Sequence, residues 1–144
     1  KIKYNGVELV FGYRDLAKIL NQELGFPIGE KRDLKIYEGL IGNWSAVKYV
    51  IRGIFDTDGC VFFDKRIVYN QPYPRITLQL SSINLINQLE HYLSNRFTLY
   101  VNKQNRDGYR NYIEIYGHDQ LEMFLKEIGF SNKRHIDKIN ASVA

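Results

Sequence analysis

The chain of 144 residues lacks several features that would settle its class at once. It has a single cysteine, Cys60, which excludes an intramolecular disulfide framework and any cysteine-based metal cluster. An intracellular, cytoplasmic protein is the simpler reading. No apolar run approaches the ~18 residues of a membrane span, so no membrane partner is expected. Nothing is low-complexity, no signal-peptide pattern opens the chain, and no methionine precedes Lys1, which reads as the mark of a processed product or a piece of something longer. What is present suits one compact domain, or one domain with part of another: 44% of residues are hydrophobic, enough for a core. A formal charge of +4 favours acidic partners such as nucleic acid.

The stretch "IRGIFDTDGC", residues 51–60, runs an apolar helical pattern straight into two aspartates and a glycine. The C-terminal end of a helix carries roughly half a negative charge, so a carboxylate there loses ~0.3–1 kcal/mol instead of gaining it. Asp56 and Asp58 also repel each other. Such a pair needs a backbone amide, a basic side chain or a cation beside it, unless Asp58-Gly59 is merely a turn between helix and strand. A calcium loop of the EF-hand type is excluded, because "DTDGC" lacks the third acidic position and the terminal glutamate of that loop.

Two stretches resemble each other, "FGYRDLAKILNQELGF" (11–26) and "YGHDQLEMFLKEIGF" (116–130). They agree at Gly12 and Gly117, Leu16 and Leu121, and at Gly25-Phe26 and Gly129-Phe130. Read as a repeat, residues 1–44 are the tail of a preceding copy with a linker, and residues 45–144 are a complete second domain. Within it, apolar residues at 47, 50, 51, 54 and 55 define a helix with Ser45 as N-cap. A strand follows from Cys60, then a turn and the alternating strand "RITLQLSS". "INLINQLEHYLSNRF" is a helix, and "TLYVNKQN" with "YRNYIEIYG" is a hairpin turning at Asp107-Gly108. A capping box of Asp119 and Glu122 opens a last helix. The order is α-β-β-α-β-β-α, an α+β fold with a four-stranded antiparallel sheet covered by helices on one face.

The other face of that sheet presents Arg75, Thr77, Gln79, Ser81, Tyr112 and Glu114, with Asn102 and Gln104 from the third strand. This is either a solvated face or a surface for duplex DNA, where arginine reads guanine and glutamine or asparagine reads adenine.

"IRGIFDTDG" resembles the signature of the LAGLIDADG homing endonucleases in its intein-type and archaeal variant. Ile51, Gly53, Ile54, Phe55, Asp56, Asp58 and Gly59 fit, while Arg52 and Thr57 stand where the motif names alanine. The resemblance covers about residues 40–140. It implies a site-specific double-stranded DNA endonuclease, or the C-terminal half of one, serving intron or intein mobility and associated with the nucleoid when bound to DNA. Signature helices would pair through Gly53, Ile54 and Asp56, with the second domain coming from a homodimer partner or a missing N-terminal half. Asp58 would bind Mg²⁺, with Mn²⁺ as substitute, and Asp56 would support the turn or the partner helix. Many members carry a lysine near the start of the helix after the fourth strand. This chain has "YGHDQ" there, which leaves His118 and Lys65 as the candidate catalytic partners of Asp58. A polar residue near the end of the second strand is matched by Ser82.

Two classes of function stay open on the residues alone. Retention of Asp56 and Asp58 favours the nuclease. Absence of the lysine favours a cleavage-deficient DNA-binding regulator or an RNA maturase-like module of the same fold. Protein splicing by this chain is disfavoured, because "NASVA" is not a His-Asn terminus.

Overall fold

The computed structural model describes residues 12–26, 33–40, 42–103 and 111–143. Helix α1 (Arg14–Lys18) continues as a π-helical turn, Ile19–Glu23, and a short 3₁₀ turn spans Glu38–Leu40. Then come α2 (Trp44–Asp58), β1 (Gly59–Asp64), β2 (Tyr73–Leu80), α3 (Ile83–Ser94), β3 (Leu99–Asn102), β4 (Asn111–Tyr116), α4 (His118–Glu127) and α5 (Lys133–Val143). The four strands form one antiparallel sheet in the order β1-β2-β4-β3. The α-β-β-α-β-β-α order expected from periodicity is therefore the order found, with α5 added after it. The expected turn at Asp107-Gly108 and the candidate Gln104 lie outside the described residues.

The core lies between the sheet and the helices. Val47, Ile51 and Phe55 of α2 meet Val61, Ile76, Leu78, Ile113 and Ile115 of the strands, all at most 1% exposed. Full burial of such side chains contributes about 1.5–3 kcal/mol each. Ile86, Leu89 and Leu93 of α3 and Phe124 of α4 are equally inaccessible. Phe55 and Phe124 meet edge to face with ring centroids 5.2 Å apart, a geometry that adds about 0.5–1.5 kcal/mol beyond area.

Several local expectations are corrected. Helix α2 begins at Trp44 with Asn43 as N-cap, not Ser45, whose hydroxyl instead donates to Asn43 Oδ1 at 2.6 Å. Helix α4 has Gly117 at its N-cap and no side-chain cap, so Asp119 acts only as an acidic residue of the first turn. Strand β1 stops at Asp64 and β2 at Leu80, which leaves Lys65 in the turn and Ser81 just past the strand. Ser82 is the N-cap of α3: its Oγ accepts from the Leu85 amide at 3.2 Å and donates to the Leu34 carbonyl at 2.9 Å.

The segment before α2 is docked by side chains rather than by a sheet. The Ile36 amide donates to Gln88 Oε1 at 2.7 Å, and Gln88 Nε2 returns a bond to the Ile36 carbonyl at 3.3 Å. Between this segment and α2 lies an apolar cavity of about 500 Å³, lined among others by Leu24, Phe26, Ile36, Val50 and Ile54. Helices α1 and α4 both run to a left-handed glycine followed by phenylalanine, Gly25 at φ 69° and Gly129 at φ 71°.

Candidate carboxylate site and nucleic-acid interface

Helix α2 passes into β1 without a loop, Asp58 being its last residue and Gly59 the first of the strand. The Gly59 amide bonds the Phe55 carbonyl, and any Cβ at position 59 would collide with that carbonyl oxygen. Glycine is thus required for the helix to meet the strand this closely.

The two aspartates have different surroundings. Asp56 is half-buried, and its carboxylate accepts from the backbone amides of Ser131 at 3.0 Å and Asn132 at 3.0 Å. Asn132 Nδ2 donates back to the Asp56 carbonyl at 2.8 Å. Asp56 therefore holds the approach to α5. Asp58 is exposed; its carboxylate accepts from the Thr57 hydroxyl at 3.1 Å and forms no ion pair among the described residues. No basic residue stands in the last turn of α2 to offset the helix end.

Helix α5 supplies what its neighbourhood has in positive charge. Arg134 Nη2 donates to the Gly59 carbonyl at 3.3 Å and Lys138 Nζ to the Val61 carbonyl at 3.4 Å. Strand β1 is a sheet edge, and these two cations cover edge carbonyls that a neighbouring strand would otherwise take. His135, fully inaccessible, packs on the Phe130 ring at 4.8 Å. Burial, then the adjacent Arg134 guanidinium, hold its pKa below the ordinary histidine value. Sequence reasoning missed α5 and the two of its cations, Arg134 and Lys138, that reach β1.

The strand register sorts the other candidates. Gly59 pairs with Leu78, so Gln79, exposed on the open face, stands one step further along at the level of Asp58. Asp64 pairs with Tyr73 at the far end of the same ladder. Lys65 follows Asp64, and the His118 ring lies edge-on to Tyr73 at 6.1 Å. Six residue steps of β2, from Tyr73 to Gln79, separate these levels, roughly 20 Å at about 3.3 Å per residue. Within one copy of this fold, Lys65 and His118 thus share one end of the sheet and Asp58 occupies the other.

On the outward side of α2, Gly53 is exposed and a Cβ there would meet nothing. Ile54 is half-buried and lines the apolar cavity beside Val50.

The open sheet face is built as the alternation of β2 and β4 requires. Thr77 pairs with Cys60 on one side and Glu114 on the other, Gln79 with Tyr112, and Arg75 with Phe62 and Tyr116. Asn102 pairs with Tyr112 from β3. Much of this face is already engaged internally. Arg75 Nη1 donates to Glu114 Oε1, its Nη2 donates to the Tyr69 hydroxyl at 3.1 Å, and its Nε lies 3.3 Å from Asp64 Oδ2. Glu114, 6% exposed, accepts a second bond from the Tyr112 hydroxyl at 2.7 Å. Burial and that carboxylate push the Tyr112 pKa up, so the phenol stays a donor. Asp64 is chelated by Arg66, whose hydrogen bond holds its carboxyl below the usual range. Gln79 and Asn102 have no such internal ties among the described residues.

Helix α2, ending in an exposed carboxylate and feeding a helix-backed antiparallel sheet with a polar outer face, has the architecture of a LAGLIDADG-like domain. The family model for the LAGLIDADG-like domain matches residues 45–129, and the chain belongs to that family. Helix α5, with Arg134 and Lys138, lies beyond the matched residues. No curated protein sequence matches the chain. No helix among the described residues is long and apolar enough to cross a membrane.

Among the described residues no three of His, Cys, Asp and Glu gather as a metal cluster. Of the two carboxylates at the α2 end, Asp56 accepts from two backbone amides and Asp58 from none. One exposed carboxylate suits Mg²⁺ when phosphate oxygens and water complete the shell, because that ion binds through one or two carboxylates and keeps several waters.

Proposed function

We propose that this chain is a LAGLIDADG endonuclease domain acting on double-stranded DNA at a specific site, and that it works against a second such domain, from a homodimer partner or an N-terminal half. The observation that carries the reading is the contrast between the two motif carboxylates: Asp56 is satisfied inside the chain, whereas Asp58 stands exposed and unneutralised at the negative end of α2. Pairing across the open Gly53 surface would bring a second Asp58 beside the first. Mg²⁺ held by Asp58 would supply Lewis-acid polarisation of a phosphodiester.

The chain's own residues supply the rest. Arg134, anchored on the Gly59 carbonyl, places a guanidinium near the α2 end where a phosphate would sit. Gln79 and Asn102 offer side chains to base edges, and the basic surplus attracts the duplex. A role on DNA would suit a protein inside the cell.

The test is a cleavage assay on the cognate duplex run beside a binding assay, for wild type and Asp58→Asn. Cleavage should be lost while binding is kept or tightened, because a negative charge near phosphate is removed. Equal cleavage by both proteins would remove Asp58 from the site. A second reading, a binding module without cleavage, is favoured by the distance along the sheet between Asp58 and the pair Lys65 and His118. Tight binding by both proteins with cleavage by neither would establish it.

A further inference from the structure

On the open sheet face, at the end away from Asp58, lies a concavity of about 340 Å³ lined by Tyr69, Tyr73, Arg75, Tyr100, Glu114 and Tyr116. Four of those six residues are tyrosines. Tyr69 and Tyr73 stack in parallel with centroids 4.4 Å apart and planes 9° from parallel, and Tyr116 is tilted against Tyr73 at 6.5 Å. Tyr100 stands on the opposite wall, 53% exposed, touching only the edge of Tyr112 among described rings. The floor is charged yet neutral in sum, because Arg75 and Arg66 are matched by Glu114 and Asp64. Phosphate therefore finds no surplus cation here. Tyr69 and Tyr73 cover each other, with the Arg66 and Arg75 guanidinia over their rings at 5.6 and 5.9 Å, so the exposed ring of Tyr100 is the π-face open to an uncharged aromatic ligand.

We propose that this concavity is a site for one unpaired nucleobase, stacked on Tyr100 and bordered by the Tyr69–Tyr73 pair. Stacking on aromatic side chains tolerates any base, since every base has a π-face. The engaged Arg75–Glu114 pair accordingly supports the ring without reading it. A paired base within a duplex keeps its faces covered by its neighbours, so the ligand is a base outside the stack, either extrahelical in a duplex or in a single strand. The inference rests on the DNA-binding reading above and adds a second kind of contact to it, away from the cleavage end of the sheet.

The experiment measures affinity of the full chain for three DNA probes: a short matched duplex containing the cognate site, the same duplex with one extrahelical adenine, and the single strand. Wild type should prefer the extrahelical probe over the matched duplex. Tyr100→Ala should lose that preference by roughly 5- to 150-fold, the size of one base–aromatic stack, with matched-duplex affinity unchanged, and Tyr100→Phe should keep it. Tyr100 is exposed, so its truncation does not threaten the fold. A single strand bound as tightly as the extrahelical probe assigns the site to single-stranded DNA; weaker binding assigns it to a base swung out of a duplex. Equal affinity of wild type for matched and extrahelical duplexes, or an unchanged preference in Tyr100→Ala, overturns the site while leaving duplex binding intact. Failure to bind any probe overturns both readings.

Discussion

The carboxylate of Asp56 and the backbone amide of Asn132 lie 3.0 Å apart, across 76 residues of chain, and with the Ser131 amide they tie the last helix to the signature helix. Hydrogen bonds to a charged acceptor contribute about 1.5–3 kcal/mol each at most, less where water reaches them. Asp56→Ala should therefore lower stability by about 1–3 kcal/mol and speed hydrogen exchange of the α5 amides. Asp58→Ala should leave stability unchanged or raise it by about 0.3–1 kcal/mol, because it removes a charge from the wrong end of a helix. Urea unfolding of the two variants checks the contrast, and equal effects would mean that the two carboxylates are not divided in this way.

Gly53 sits in the middle of α2 with open space where a side chain would go. Gly53→Leu should stabilise the isolated chain by up to about 1 kcal/mol, since glycine is a poor helix residue. It should also abolish pairing with a second domain if α2 meets its counterpart there. Thermal melting and sedimentation together decide the matter: association that survives the leucine would place the interface elsewhere.

Arg75 and Gln79 share a strand face but differ in commitments. Arg75→Ala strands Glu114, which is almost fully buried, and should cost about 3 kcal/mol of stability along with any effect on DNA. Gln79→Ala should stay within about 0.5 kcal/mol in stability yet lose discrimination at one base pair of the target by about 1–3 kcal/mol. Competition binding with single-base target variants, beside denaturant melts, separates the two.

His135 gives the fold a pH dependence of known sign. Its folded pKa lies below the ordinary 6.5 because it is buried next to Arg134, with Lys138 opposing and Asp56 favouring protonation. The unfolded chain then binds the proton more readily, so the contribution is present in full above 6.5 and is lost as pH falls through the folded value. His135→Leu should flatten the decline of stability below about pH 6.5 relative to wild type. An unchanged slope would show that His135 titrates alike in both states.

How much of this was legible beforehand depends on the range of the interaction. Alternation at 75–81 named Ile76 and Leu78 as core and put Arg75, Thr77 and Gln79 on the opposite face, because the two-residue period of a strand needs no partner to be read. It did not reveal that Arg75 and Glu114 spend their charges on each other, since that depends on the register of β2 against β4. Helix α5 escaped although its buried residues, His135 and Ile139, stand four apart at helical spacing: the stretch is polar on average, and the motif order was read as ending with the helix before it. The division of labour between Asp56 and Asp58 was hidden for a similar reason. Two aspartates one residue apart look alike until an amide from the far end of the chain chooses one. Ser82, matched by motif to a position near the chemistry, is occupied with capping α3.

The loopless joint at Asp58-Gly59 also constrains how the gene can change. One residue added to α2 would turn everything after it by about 100° and advance it by about 1.5 Å. One residue added to β1 would exchange its core and outward faces. A loop would absorb either error, but here there is none, so length variation in this region must fall before Asn43 or after Asp64. Substitution is then the main means left for tuning the stretch between them.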